Sequence, residues 1–223
     1  MTAIEALRLG RFAEAVSLLG ESDLKDPQSG GILAEALYGL GHTSRARACA
    51  ERTLSRTSDQ STASRCLSTL AALDRDDGRV EQSMVLCQRA ADAAQQAKDD
   101  GLFAASTLEL LERSCDRRGF SASLPLASLV RRAVTKVGDP QLSARLHISF
   151  GRLEGRAGHL ERARRHFDLG RKLLVLAPNE WLSASVDLDE SAVLTLLGDA
   201  TGAMEMASRG ARSSWPADGL AES

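Results

Sequence analysis

The chain has 223 residues, of which 43% are hydrophobic, 26% are charged and only 4% are aromatic. That share of apolar side chains excludes a wholly disordered chain, and the abundance of Ala, Leu and Arg favours helices over strands. The net charge of −2 conceals an asymmetry, because residues 113–172 contain 14 Lys and Arg against 5 Asp and Glu, and the remainder contains 14 against 25. A basic segment in an acidic chain indicates an anionic partner, with solvated surface arginines as the simpler alternative.

The first residues, Met-Thr-Ala-Ile-Glu, lack the basic region and apolar run of a secretory signal. No apolar stretch is long enough to cross a bilayer, so we expect a cytoplasmic protein without a membrane partner. The four cysteines, Cys49, Cys66, Cys87 and Cys115, are far apart in sequence. We therefore expect them to be small packing residues rather than disulfides or metal ligands.

Taken in order, the chain alternates helical segments with turn glycines. Residues 1–27 are predicted to form a partial first repeat, whose first helix begins with Thr2 and Glu5 at the spacing of a capping box. Complete helix pairs are predicted over residues 28–58, 59–99, 100–138, 139–178 and 179–214. Residues 215–223, which begin Trp-Pro, are predicted to start a further repeat or to form a tail.

The fifth pair, residues 139–178, has the clearest pattern. Asp139 is a predicted N-cap, as is Asn179 at the start of the next pair, and Gly158 supplies the permissive backbone of a tight turn. Apolar residues recur at helical spacing at Leu142, Leu146, Phe150, Leu153 and Ala157 on the first helix, and at Leu160, Ala163, Phe167, Gly170 and Leu174 on the second. A single hairpin buries only one face, so we expect neighbouring hairpins to cover the other.

The turn glycines, at positions 10, 41, 78, 119, 158 and 198, are separated by 31, 37, 41, 39 and 40 residues. Together with Leu-Gly-Arg-Phe-Ala-Glu-Ala over residues 9–15 and Leu-Gly-His over 40–42, this spacing resembles the tetratricopeptide repeat, a helix pair of about 34 residues. The resemblance implies an all-α, right-handed solenoid of stacked antiparallel helix pairs. Asp74 and Glu112 depart from it, since the family prefers small or apolar residues at those positions.

The longer periods resemble the extended repeats in sensor regions of large bacterial signalling proteins, including the maltose-regulon activator. That resemblance implies a non-catalytic module that binds a protein, a peptide or a small-molecule effector. Such a module would be the regulatory part of a larger signalling or transcription-regulating protein, and the partial repeats at both ends fit a fragment. A stand-alone adaptor for acidic peptides is the alternative, and a small α-helical enzyme is a more remote one.

Signatures of catalysis are missing from the sequence, which has no phosphate-binding loop, dinucleotide fingerprint, His-Glu-x-x-His or Gly-x-Ser-x-Gly. We therefore predict no catalytic residues, no cofactor and no enzyme activity. His42 and His159 each follow a turn glycine and are expected at the surface. His147 and His166 are on opposite helices of one pair and could approach each other, but without a cysteine or carboxylate companion they do not predict a metal site.

A surface is the better functional candidate. In tetratricopeptide arrays the first helix of each pair lines a concave groove, and counting back from the turn glycines places there Arg65, Arg75, Arg113, Arg117, Arg145, Arg152 and Arg156. Because the arginine fork suits carboxylates and phosphates, these residues predict an acidic protein or peptide partner. Pairing with nearby Glu109 and Asp116 is the structural alternative. Nucleic acid is not favoured, since no aromatic residues are interleaved with the basic ones.

Overall fold

The computed structural model describes residues 1–20, 26–119 and 121–214, and over these ranges it contains helices but no β-strand. The α-helices are, in chain order, α1 (Ala3–Arg8), α2 (Phe12–Leu19), α3 (Pro27–Gly39), α4 (Thr43–Leu54), α5 (Gln60–Asp76), α6 (Val80–Gln96), α7 (Asp100–Arg118), α8 (Leu124–Val137), α9 (Pro140–Arg156), α10 (Leu160–Leu176), α11 (Glu180–Leu196) and α12 (Ala200–Ser214). A short 3-10 helix, Ser121–Ser123, precedes α8. The predicted further repeat at residues 215–223 lies outside the described residues.

Consecutive helices pack as antiparallel pairs in two compact units, Met1–Val137 and Gly138–Ser223. The first unit contains four pairs, from α1 with α2 to α7 with α8. The second contains two, α9 with α10 and α11 with α12. Within each unit the second helix of one pair also packs on the first helix of the next, as the sequence predicts.

Local signals at the helix ends agree with the sequence predictions. All six turn glycines adopt φ between 76° and 83°, a backbone conformation that L side chains rarely adopt. Thr2 and Glu5 form the predicted capping box. Asp139 accepts hydrogen bonds from the backbone N–H of the next helix, and Asn179 does the same at α11. Every predicted turn is therefore fixed by its own few residues.

Small residues bring the helices of a pair close together. In the first unit, the hydroxyl of Ser64 on α5 donates to the carbonyl of Ala90 on α6 at 2.9 Å. In return, Ser83 on α6 donates to the carbonyl of Ala71 on α5 at 2.6 Å. Both serines are fully buried, so each hydroxyl satisfies its hydrogen-bonding need across the helix contact.

The face of α9 that meets α10 is wider than the stripe predicted from the sequence. Ala144, Ile148 and Gly151 of α9 also contact α10, and the core cluster of the second unit consists of Ala144, Ile148, Ala163, Phe167, Leu174, Leu182, Val186 and Val193. From the predicted stripe, Leu146, Phe150 and Leu153 are buried and Phe150 stacks on His166 of α10, whereas Ala157 is exposed. The helix is buried on more than one side, and therefore one apolar stripe could not locate the contact with α10.

The two residues that depart from the repeat pattern are buried and held by arginines. Asp74 is 7% exposed and accepts hydrogen bonds from Arg47 at 3.0 Å and from Arg79 at 2.6 Å. Glu112 is 6% exposed and lies 3.7 Å from the guanidinium of Arg113. Acidic side chains thus replace the expected small or apolar ones because cations compensate their burial.

All four cysteines are free thiols, of which Cys49, Cys66 and Cys87 are buried and Cys115 is partly buried. Burial raises the pKa of the Cys66 thiol to about 12, so this group is neutral and unreactive at ordinary pH. No helix in the described ranges is both long and apolar enough to cross a bilayer.

Candidate interaction face of the first helices

The first helices of successive pairs approach one another within each unit. In the first unit α3 contacts α5 and α5 contacts α7, and in the second unit α9 contacts α11. The second helices of successive pairs, such as α4 and α6, make no comparable backbone approach in the described residues. The first helices therefore line the inner side of each unit, and we call that surface the first-helix face.

In the first unit, the first-helix face contains an ion pair between neighbouring helices. The Arg65 guanidinium on α5 donates to the Glu35 carboxylate on α3 at 3.1 Å. Their side chains are 25% and 41% exposed, so the pair is accessible to solvent. One turn further along α5, the hydroxyls of Ser68 and Ser106 lie 3.2 Å apart and join α5 to α7.

Tyr38 on α3 forms hydrogen bonds to a second pair of charged residues on the same face, Arg75 and Asp76. Its hydroxyl donates to the carboxylate of Asp76 at 2.8 Å and accepts from the guanidinium of Arg75 at 2.6 Å. Arg75 also donates from Nε to Asp76 at 2.7 Å, which closes the triangle. Burial, opposed by the Arg75 charge and aided by the bond to Asp76, raises the pKa of Tyr38 to about 12. The phenol therefore keeps its proton and acts as a fixed donor.

Arg113 and Arg117 on α7 do not share one environment, although their spacing predicts a common helical face. Arg113 is 5% exposed and lies beside Glu112. The Arg117 side chain is 61% exposed and its Nε lies 2.7 Å from Glu81 on α6, the second helix of the preceding pair. Arg113 is thus beneath the surface, and Arg117 lies towards the turn. The side chain of Asp116, a predicted alternative partner, lies outside the described ones.

The second unit repeats the arrangement of an arginine and a carboxylate one repeat apart. Arg152 on α9 donates to both carboxylate oxygens of Asp189 on α11, with Nε at 3.1 Å from each and Nη2 at 2.7 Å from Oδ2. Ser185 accepts a longer bond from the same Nη2 at 3.4 Å. Arg145 is partly buried and Arg156 is exposed.

The arginines that face a neighbouring first helix are therefore paired and not free cations. Sequence reasoning missed their partners, Glu35, Tyr38, Asp76 and Asp189. For two of these pairs the sequence contains a partial signal in their separation, because Arg65 follows Glu35 by 30 residues and Asp189 follows Arg152 by 37. Each of those distances is about one repeat. The result is a face of mixed charge with oriented guanidinium groups rather than a uniformly basic groove.

The four histidines lie where the sequence predicts. His42 and His159 are exposed beside their turns, and His159 is bonded to Glu154 at 2.6 Å. His147 and His166 meet across α9 and α10 with 3.0 Å between their Nδ1 atoms. Among the described residues, no group of three or more His, Cys, Asp or Glu side chains could hold a metal ion.

Solved structures with this architecture include a Rap protein complexed with Competence and Sporulation Factor, at TM-score 0.74 and 13% identity over 95% of this chain. Aspartyl phosphate phosphatase F from Bacillus subtilis matches 96% of this chain and 69% of its own, at TM-score 0.62 and 10% identity. BtubC from P. vanneervenii matches 95% and 89%, at TM-score 0.57 and 16% identity. These structures confirm the predicted fold class, a tetratricopeptide-like right-handed solenoid of stacked antiparallel helix pairs.

Identities this low show the fold alone. The chain spans 62% of the length of the Rap protein that it matches. No protein-family model and no curated protein matches the sequence.

Proposed function

We propose that this chain is a non-catalytic module that binds a peptide or a protein segment, and that acidic groups of the partner contact Arg65 and Arg75 on the first-helix face. The observation that carries the proposal is the way these two guanidinium groups are held. A guanidinium has five N–H donors. Arg65 bonds Glu35 through one nitrogen, and Arg75 bonds Asp76 and Tyr38 through two. Each arginine is oriented by the fold and retains donors for a partner.

The energetics favour such a site. Partly exposed ion pairs contribute only about 0–1 kcal/mol, so a partner's carboxylate can share a guanidinium with Glu35 or Asp76 at little cost. An arginine that is already held loses less side-chain entropy when the partner binds. In the second unit Arg152 is likewise held by a carboxylate, that of Asp189, and we propose it as a separate contact of that unit.

The other arginines of the predicted set differ in exposure, and therefore in the contact that we propose for them. Arg117, Arg145 and Arg156 are proposed as peripheral contacts, because each is at least partly exposed. Arg113 is 5% exposed, so we place it behind the face, where it compensates Glu112. The partner class is an acidic peptide or protein segment, and a small-molecule effector is the second candidate.

The similar structures support a binding role. One neighbour of the same fold is a Rap protein complexed with Competence and Sporulation Factor. We infer by analogy that this chain is the regulatory, effector-sensing part of a larger bacterial signalling or transcription-regulating protein in the cytoplasm, with a stand-alone adaptor as the alternative. Another neighbour is named a phosphatase, but the catalytic signatures that we sought in this sequence are missing.

The test is to select peptides on the intact chain from a random display library and to measure their affinity by fluorescence anisotropy. The variant carries both Arg65→Glu and Arg75→Glu. We expect acidic residues to be enriched among the selected peptides, and their affinity to fall at least tenfold in the variant. The affinity should also fall as salt is raised, because exposed charges are screened.

The matched control carries Arg89→Glu and Arg132→Glu, which make the same charge change at exposed arginines on the second helices α6 and α8. It should bind the selected peptides as the wild type does, and circular dichroism should show equal helicity for all three proteins. Equal affinity in variant and wild type would remove Arg65 and Arg75 from the site. Failure to select any peptide would count against the binding role itself.

A further inference from the structure

The second unit contains a pair of histidines that the proposed peptide site does not use. His147 on α9 and His166 on α10 are partly buried, with 3.0 Å between their Nδ1 atoms and 5.3 Å between their ring centroids. Phe150, which is 4% exposed, stacks on the ring of His166 at 5.5 Å and 23°. A buried aromatic side chain therefore orients one of the two imidazoles.

At this distance the two rings share one hydrogen, because one Nδ1 donates and the other accepts. A neutral imidazole can equally carry its hydrogen on Nε2. If both rings adopt that form, two lone pairs lie 3.0 Å apart with no proton between them. Two adjacent imidazole lone pairs form a chelating unit for a metal ion.

We propose that His147 and His166 bind one late transition-metal ion, preferably Ni²⁺ or Cu²⁺, with water completing its coordination. Metal–nitrogen bonds of about 2.0–2.1 Å place two ligand nitrogens about 2.9 Å apart at a right angle and about 3.4 Å apart at a tetrahedral angle. The 3.0 Å hydrogen bond between the rings already holds the two nitrogens close to the separation that the right angle requires. Octahedral Ni²⁺ and tetragonal Cu²⁺ have that angle, whereas Zn²⁺ prefers the tetrahedral one.

With two protein ligands the ion is exchangeable rather than permanently held. It joins α9 to α10 across the helix pair and therefore stabilises the folded second unit when it binds. The proposal is independent of the peptide site, since it uses none of the arginines of the first-helix face.

In the test, Ni²⁺ is titrated into the untagged full chain. Isothermal titration calorimetry measures its binding, and thermal unfolding measures its effect on stability. Wild type should bind one ion, and its unfolding midpoint should rise with Ni²⁺ and return when EDTA is added. His147→Gln and His166→Gln should each lower the affinity at least tenfold and abolish the rise. The matched control carries His42→Gln and His159→Gln, which remove the exposed histidines, and should behave as the wild type does.

Unchanged affinity in His147→Gln and His166→Gln would overturn the proposal and leave a simple hydrogen bond between the rings. Loss of binding in the control would assign the ion to the surface histidines. Electron paramagnetic resonance of Cu²⁺ bound to the wild type provides a measurement that needs no variant. Coupling to two imidazole nitrogens supports the site, and coupling to one or none contradicts it.

Discussion

At the scale of single residues, glycine decides how closely α9 and α10 can pack. A Cβ atom built on Gly151 would lie 2.6 Å from Cε1 and 2.8 Å from Cδ1 of Phe167. Phe167 is fully buried, so its ring has no space into which it can move. Gly151 is therefore required by the ring that crosses it and not by any unusual backbone angle.

Gly151→Ala should consequently destabilise the protein by about 1–3 kcal/mol, because overpacking outweighs the better helix propensity of alanine. The matched control is Gly101→Ala in the first turn of α7, where the new Cβ would meet only Asp99 at 3.4 Å. That change should be neutral or stabilising by up to about 1 kcal/mol. Urea unfolding of both variants provides the comparison, and equal effects would show that Phe167 yields to the added methyl group.

The residue scale also separates what was predictable at the candidate site from what was not. A cap or a turn glycine acts within a few residues, so its sequence context is sufficient. The bond between Arg65 and Glu35 depends on which residues of two successive repeats face each other. Because the spacing of the turn glycines varies from 31 to 41 residues, no single offset gives that register. The sequence indicated arginines on the first helices, but it identified neither their partners nor the burial of Arg113.

At the scale of elements, one carboxylate connects three helices of the second unit. Asp187 on α11 is 6% exposed and accepts hydrogen bonds from Arg171 on α10 at 2.8 Å and from Arg209 on α12 at 2.5 Å. Arg171 also pairs with Glu190, one turn further along α11. The network therefore joins the last two helix pairs at a position where an unpaired charge would be costly.

Asp187→Asn should lower the free energy of unfolding by roughly 1.5–3 kcal/mol, the contribution of hydrogen bonds to a charged group. Burial alone would raise the pKa of Asp187, but the bonds from Arg209 and Arg171 outweigh it and hold the pKa below its ordinary value. The stability that this carboxylate contributes is therefore complete above about pH 4 and is lost as the pH falls through the lower folded pKa.

Urea unfolding between pH 6 and pH 3 tests both statements about Asp187. The difference between wild type and Asp187→Asn should be largest at pH 6 and should shrink towards pH 3. Asp168→Asn removes an exposed carboxylate of α10 and should have little effect at any pH. If the difference in unfolding free energy between wild type and Asp187→Asn did not depend on pH, the packing of the Asp187 side chain, and not its charge, would stabilise the network.

The elements themselves were largely predictable, since repeating glycines and caps mark where each helix begins and ends. The face used by each helix was harder to predict. On α9, Leu146, Phe150 and Leu153 form the more hydrophobic stripe, yet α10 is contacted not only by Phe150 but also by Ala144 and Ile148. Hydrophobicity identifies buried positions but not their partner, and small residues mark the closest helix contacts because they permit approach.

At the scale of the whole molecule, stability in stacked helix pairs is a sum of contacts between neighbours, and at least three repeats are usually needed. The first unit contains four pairs and the second contains two. The pair α1 with α2 packs mainly on α3, through a small cluster of Ala6, Leu7, Ala15 and Ala36, and Val16 of α2 also packs against the next core cluster. Removing it leaves three complete pairs in the first unit.

The two ends of the chain should therefore tolerate truncation differently. A chain that begins at Asp26, the N-cap of α3, should remain folded with a lower unfolding midpoint. A chain that ends at Ala177 lacks α12 and also α11, which supplies Leu182, Val186 and Val193 to the core of the second unit. Because one pair is left there, α9 and α10 should lose helicity as well. Circular dichroism at 222 nm measures this directly, and a loss limited to the deleted residues would show that a single pair suffices.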